Sequence, residues 1–217
     1  EGGGKDGSLR LATSGIGAAY LEIKGKSSHA GVKPEEGVNA LTELSHQIAQ
    51  MQNLSNAKTG LKLNWTVATA GKTRNVIPDV ASAQADVRAL RVEDFDKIEK
   101  TLQEKVKNKK MADSQVDVKF EVRRPPLAAN EKAKKLAEKA QSIYKNELDL
   151  PMNILTTATG GGTDAAFAGA KSKAAVLEGM GLSGDGAHSN NAEYILMESI
   201  VPRLYLATRL IMDASSQ

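Results

Sequence analysis

Apolar and polar positions divide the chain into two stretches of different rhythm. Over residues 15–26 the apolar positions alternate weakly and the run ends in glycine, which predicts a strand. Pro34-Glu35-Glu36 then opens a helix, with acids near its positive end. Val38, Leu41, Leu44, Ile48 and Met51 recur at helical spacing and predict one buried stripe. Leu61, Leu63, Trp65 and Val67 alternate as a strand that Gly71 breaks, and residues 81–90 form another, with Ala83, Ala85 and Val87 on one face. A helix over 92–107 turns Phe95, Ile98, Leu102 and Val106 inward, and Val116, Val118, Phe120 and Val122 alternate as a fourth strand. The order strand, helix, strand, strand, helix, strand predicts a ferredoxin-like βαββαβ unit, an antiparallel sheet with two helices on one face. It spans residues 14–124, and Pro125-Pro126 closes it.

The remainder alternates helix and strand. It reads as a helix over 131–146 with Leu136, Ala140 and Ile143 inward, a strand near 153–157, a tight loop over 159–164 and a short helix. A short buried strand over 174–177, a Gly-rich loop over 179–188 and a long helix over 193–212, with Ile200, Leu204, Ala207 and Ile211 inward, complete it. This is the rhythm of one edge of an α/β sheet, too thin by itself, and it calls for a partner layer that these residues do not supply. The chain thus divides into 1–13, 14–124 and 125–217.

Composition narrows the picture. Aromatic residues are only 4% of the 217, so the core must be built from Leu, Ile, Val and Ala. The net charge of +3 is small, and the Lys-rich stretches at 105–110 and 132–139 alternate with acids or sit on helical faces; solvated helix surface explains them better than nucleic-acid binding. Cysteine is absent, which excludes disulfides and thiolate metal sites and leaves the compartment open. No apolar run approaches the ~20 residues of a membrane span. The opening Glu1-Gly-Gly-Gly-Lys-Asp-Gly has neither Met nor apolar anchor and reads as a loop inside a longer protein, or else as a short flexible leader.

Candidate chemistry rests on few side chains. Of the three histidines, His46 lies inside the first helix, off its apolar stripe, and reads as a surface group. His29 lies in the Ser-Ser-His-Ala-Gly loop between strand and helix, where functional and ordinary loop readings are equally open. His188 ends a Gly-rich loop just ahead of Glu193; neutral imidazole is the commonest metal ligand, but zinc requires three or four donors and no HExxH motif is present. Thr159 to Asp164 is either a turn needing positive φ or a backbone cradle for an anion or carbonyl, and it lacks the lysine of a P-loop. Arg88 within a strand and Arg123-Arg124 at a strand end are either carboxylate clamps or solvated.

Taken as ordered motifs, these segments resemble one family. Gly25-Lys26-Ser27-Ser28-His29-Ala30-Gly31, the Pro34 to Ala40 segment, Gly71 with Asn75-Val76-Ile77-Pro78, Asp86-Val87-Arg88, Gly161-Gly162-Thr163-Asp164-Ala165 and His188-Ser189 with Glu193-Tyr194 resemble the zinc metallopeptidases that include glutamate carboxypeptidase, aminoacylase, succinyl-diaminopimelate desuccinylase and peptidase T. Asn64-Trp65-Thr66, Glu93-Asp94-Phe95 and the Arg209 to Asp213 segment look most like the glutamate carboxypeptidase branch.

The resemblance implies a dimerisation domain at 14–124, flanked by the end of a catalytic-domain segment at 1–13 and the C-terminal part of an α/β catalytic domain at 125–217. It implies His188 and Glu1 as zinc ligands, and His29 as a catalytic group that reaches the active site of the other protomer and polarises the scissile carbonyl. Asn75 and Arg88 would bind the substrate carboxylate, Arg124 a glutamate side chain, and Gly161, Gly162 and Thr163 would line the substrate. Ser8 stands where the branch has a lysine; Lys5 or Arg10 would have to replace it. The family's H-x-D ligand motif, bridging aspartate and Glu-Glu pair, which contains the general base, match nothing in these residues. The expectation is a portion of a two-zinc homodimeric carboxypeptidase that releases glutamate from a peptide or N-acyl substrate and is inactive as this portion alone. An amidohydrolase of the same family, or a non-catalytic dimerisation module, is the alternative.

Overall fold

The computed structural model describes residues 2–158, 160–172, 174–187, 189 and 191–215. In chain order the elements are β1 (Leu9–Arg10), β2 (Gly15–Lys24), β3 (Ser28–His29), α1 (Ala40–Met51), β4 (Lys62–Ala70), β5 (Val76–Ile77), β6 (Val80–Ala89), α2 (Val92–Lys105) and β7 (Gln115–Arg124). Then follow α3 (Glu131–Leu148), β8 (Ile154–Leu155), α4 (Ala165–Lys171), β9 (Gly184–Asp185), β10 (Tyr194–Ile195) and α5 (Ile200–Ser215). Two compact units result, Gly15–Pro125 and a second made of Glu1–Ser14 with Pro126–Gln217.

The first unit is the ferredoxin-like sheet, in the order β4-β6-β2-β7 and antiparallel throughout. Ala19, Leu21 and Ile23 of β2 and Ala83, Ala85 and Val87 of β6 face α1 and α2 and form its core with Leu44, Phe95, Ile98 and Leu102. Period 2 in the strands and period 3.6 in the helices bring these residues to one surface. The other sheet face carries polar side chains between small apolar ones.

Two expectations fail here for local reasons. A bulge between Trp65 and Val67 shifts the β4 register, so Val67 crosses to the open face and is 49% exposed. The first helix begins at Ala40 rather than Pro34, because Pro34–Glu36 form a single 3-10 turn and the Asn39 side chain caps the helix by accepting from the N–H groups of Leu41 and Thr42. Its buried face is rotated accordingly: Leu41 is exposed, while Glu43 and Gln47 are buried. Their burial is compensated, since Gln47 donates to Glu43 at 2.7 Å and to the Asn108 carbonyl at 3.1 Å, and Glu43 accepts from the Met111 N–H. His46 also contacts the Asn108 carbonyl at 3.0 Å, so it helps tie α1 to the chain after α2 rather than standing free in solvent.

In the second unit β1 pairs in parallel with β8, and α3 and α5 cover Leu9 and Leu11 with Ala137, Ala140, Ile143, Tyr144 and Leu206. The buried strand expected at 174–177 reduces, among the described residues, to one bridge between Glu178 and Arg10. The long helix expected from 193 starts only at Ile200, after β10 and a 3-10 turn, and its buried side is Arg203 and Leu206 rather than Leu204 and Ile211. Arg209 bridges Glu147 of α3 and Asp213, and Lys139 of α3 also pairs with Asp213. The Arg209 guanidinium, with the Tyr205 hydroxyl, holds the Glu147 carboxyl below its usual range, and Lys139 does the same for Asp213.

Phe95 is the largest fully buried side chain, and its ring meets that of Phe120 at 5.9 Å between centroids. Phe95→Ala should therefore cost about 3–5 kcal/mol of stability, read from the shift of the urea unfolding midpoint. A loss below ~1 kcal/mol would show that the core closes over the cavity.

Candidate functional site

The loop bearing His29 is fastened at its base on three sides. The Gly25 N–H donates to Asp79, Lys26 and Val38 exchange backbone hydrogen bonds at 3.0 and 2.8 Å, and the Ala40 N–H donates to Pro78. Gly25 is required here because a Cβ would run into the Val38 carbonyl. At the tip, β3 pairs with β5, placing Ser28 opposite Ile77 and His29 opposite Val76, and the Ala30 N–H donates to the Asn75 carbonyl at 2.9 Å. His29 and Asn75 are thus brought together on one short antiparallel ladder, and both are exposed. Gly71, at φ +65°, makes the turn that sends β4 into this segment.

The His29 ring has a defined orientation. Its Nδ1 accepts the Gly31 N–H at 3.2 Å. In the neutral ring an accepting Nδ1 leaves the hydrogen on Nε2, so the exposed ring presents a donor. This is the tautomer suited to a carbonyl oxygen that gathers charge.

Arg88 and Arg124 lie at the opposite end of the sheet, paired with Ile16 from its two sides in β6 and β7. The Arg88 Nε and Nη2 grip the Asp86 carboxylate at 2.8 and 3.0 Å, which fixes the guanidinium plane on the open face. Arg123, bulged out of register, stacks over Tyr20 at 6.0 Å and donates to its hydroxyl.

The Gly-rich loop belongs to the second unit. Gly161 anchors it by accepting from the Ser14 N–H at 3.0 Å. Thr163 is 1% exposed; its hydroxyl donates to Glu178 at 2.7 Å and accepts from the Ala165 N–H at 3.1 Å. What the loop presents outward is backbone at Gly161 and Gly162. A Cβ added at Gly160 or Gly161 would meet nothing within 4 Å, so packing does not demand glycine there, although φ +93° does at Gly160. Glu178, 5% exposed, braces the loop from behind and was not singled out by sequence; only an acid flanked by apolar residues and Gly179 hinted at it.

Ser8 is buried and donates to Asp6 at 2.5 Å, and its hydroxyl holds the Asp6 carboxyl below its usual range. Arg10 is turned to the Gly2 carbonyl at 3.3 Å, while Lys5 is exposed. His188 and Glu1, the two expected metal ligands, lie outside the described residues. Among the described residues no group of three or more His, Asp or Glu side chains is placed to hold a metal ion. Among them, too, no helix is long and apolar enough to cross a membrane.

The chain belongs to the M20 peptidase family: residues 11–114 match its peptidase dimerisation domain. It is 46% identical over 208 residues to carboxypeptidase G2 of Pseudomonas sp. (strain RS-16), covering 96% of this chain and 49% of that protein. A 79-residue stretch is 39% identical to a homolog of p-aminobenzoyl-glutamate hydrolase from Haemophilus influenzae, over 36% of this chain and 18% of that one. The fold is shared with aminopeptidase PepT of Bacillus cereus (TM-score 0.77, 24% identity, 95% of this chain and 54% of that one). It is also shared with the YXEP protein of Bacillus subtilis, described as a dinuclear metal binding peptidase (TM-score 0.65, 18% identity, 95% of this chain and 53% of that one). The chain spans about half the length of the carboxypeptidase it matches.

The hydrogen bond from Gly31 makes a spectroscopic prediction. In its neutral form the His29 ring should show Nε2 protonated and Nδ1 bare in long-range ¹H–¹⁵N correlation spectra. The reverse pattern would remove the donor assigned to the exposed side of the ring.

Proposed function

We propose that this chain is part of a two-zinc homodimeric exopeptidase that hydrolyses the amide bond ahead of a C-terminal glutamate. Support comes from 46% identity to a carboxypeptidase across nearly the whole chain and from a second relative whose name specifies a glutamate conjugate. The observation that carries the reading is the separation of the candidate residues within one protomer. The His29 loop joins the sheet beside Lys24, whereas Arg88 and Arg124 flank Ile16, eight steps away along β2. At ~3.3 Å per residue that is roughly 26 Å, longer than an amino-acid substrate. One protomer cannot bring both groups to one amino acid, but a two-fold partner can bring His29 of one protomer to Arg88 of the other.

Dimerisation through residues 14–124 supplies that partner. β4 is an edge strand, and α1 lies over β4 and β6 on the same side, so a two-fold pairing of β4 and α1 with their copies makes an isologous interface. In the assembled site His29 donates from Nε2 to the scissile carbonyl oxygen. Asn75 and Arg88 hold the α-carboxylate, and Arg124 holds the glutamate side chain. The backbone of Gly161, Gly162 and Thr163 lines the scissile end. Zinc, with His188 and Glu1 as the ligands this chain contributes, supplies an activated water when bound.

In the full-length protein, His29→Ala should lower kcat about a hundred- to a thousandfold, with dimerisation and zinc content unchanged, as expected for loss of one transition-state donor. Mixing that variant with His188→Ala, itself inactive through loss of zinc, should restore activity after the protomers exchange, because one hybrid site holds both histidines. No recovery despite proven exchange would exclude action across the interface. The 217-residue chain alone, supplied with zinc, should not release glutamate from N-acylglutamates; turnover by it would place a general base within these residues.

A further inference from the structure

Arg203 of α5 is 4% exposed, and a buried guanidinium is costly unless its donors are met. Arg209 of the same helix is paired with Glu147 and Asp213. Arg203 is different: among the described residues no carboxylate pairs with it, and its Nη1 is buried without a hydrogen-bond partner. The Tyr144 ring of α3 lies 5.6 Å from the guanidinium carbon, and the Arg203 Nη2 donates to the Gly7 carbonyl. A cation held in this way adds little stability over an apolar side chain of similar length. What it does is hold a loop.

The glycines of that loop are shaped around the guanidinium. A Cβ on Gly3 would lie 2.6 Å from the Arg203 Nη2, and one on Gly7 would lie 2.7 Å from it and 2.9 Å from the Ser183 Oγ. Gly7 also has φ +66°, which favours glycine by itself. The loop is laid in turn against the segment that leads into β9. The Gly3 N–H donates to the Leu182 carbonyl and the Gly184 N–H to the Gly4 carbonyl, both at 3.1 Å. Ser183, between them, is fastened from elsewhere: its N–H donates to the Ser199 Oγ at 3.0 Å, and its carbonyl accepts from the Leu196 N–H at 2.8 Å. Glu1 directly precedes Gly2, and His188 follows Asp185 of β9 by three residues. The two segments that lead to the proposed zinc ligands are therefore joined by a pair of backbone hydrogen bonds, and Arg203 grips the loop that makes them.

We propose that Arg203 is a positioning residue for the zinc site: it holds the Gly2–Gly7 loop against Leu182–Gly184 and so sets Glu1 and His188 relative to one another. The inference rests on the reading of those two residues as zinc ligands. It concerns the affinity for the metal and not contact with the substrate.

The test is made in the full-length protein, with zinc affinity measured by competition with a chromophoric chelator and stability by thermal unfolding of the metal-free form. Arg203→Met should bind zinc about ten- to a hundredfold more weakly, the usual loss when a group that orients ligands is removed. Arg203→Lys keeps one donor for the Gly7 carbonyl and should recover most of that affinity. Gly3→Ala drives a methyl group against the guanidinium and should also weaken zinc binding. In Gly3→Ala/Arg203→Met the two losses should not add, because both act through one contact. Leu206→Ala, in the core on the same helix, separates positioning from stability. It should lower the metal-free midpoint at least as far as Arg203→Met, yet leave zinc affinity within about twofold. If His188→Ala loses zinc while Arg203→Met binds it as tightly as the unaltered protein, the proposal is overturned and the ligand reading stands. If His188→Ala and Glu1→Ala both keep full zinc affinity, the ligand reading fails and the proposal with it. A loss of zinc affinity in Leu206→Ala equal to that in Arg203→Met would also overturn the proposal, by showing that any loosening of α5 has the same effect.

Discussion

The double ladder of β2 is the constraint on which the Gly15–Pro125 unit depends. This strand is hydrogen-bonded along its length to β6 on one side and β7 on the other. Its two ends therefore lie in fixed positions set by strand rise, and each end carries a different set of candidate side chains. Ile16 places Arg88 and Arg124 at one end, and Lys24 leads into the fastened loop of His29 at the other. No rotamer change can close a gap set by backbone pairing. A site that used both sets would have to be completed by another molecule.

The same unit shows how polar groups are buried without loss of order. Glu43 and Gln47 occupy helix positions that hydrophobic patterning would give to apolar residues, and they are accepted because the chain after α2 offers carbonyl and N–H groups at the right height. An uncompensated carboxylate there would be costly; with these partners it ties α1 to the chain after α2. Glu178 plays the corresponding part in the other unit, where one carboxylate oxygen holds Thr163 and through it the start of α4. In both cases a buried acid fixes the position of nearby backbone.

Much of this was legible in the sequence. Alternation and helical spacing determined the βαββαβ order, because side-chain period follows directly from backbone geometry and each core residue needs only its own neighbours to declare its face. Phe95, Ile98 and Leu102 on α2 and Ala83, Ala85 and Val87 on β6 are examples. The ordered motifs around His29, Asn75, Arg88 and Gly161 determined the family, because glycines such as Gly25 are demanded by backbone contact and leave a mark in the chain.

The tertiary structure decided what periodicity leaves degenerate. The bulge at Thr66 reverses the facing of Val67, and nothing in an alternating run marks where one extra residue will be absorbed. The register of α1 was set by polar partners more than sixty residues away, beyond the reach of a local pattern. Helix α5 is apolar on two sides, so its sequence fits either facing equally well; packing against α3 and the Glu147–Arg209–Asp213–Lys139 ion pairs chose the side of Leu206. Local pattern records which residues avoid water, but the neighbour that shelters them is a property of three dimensions.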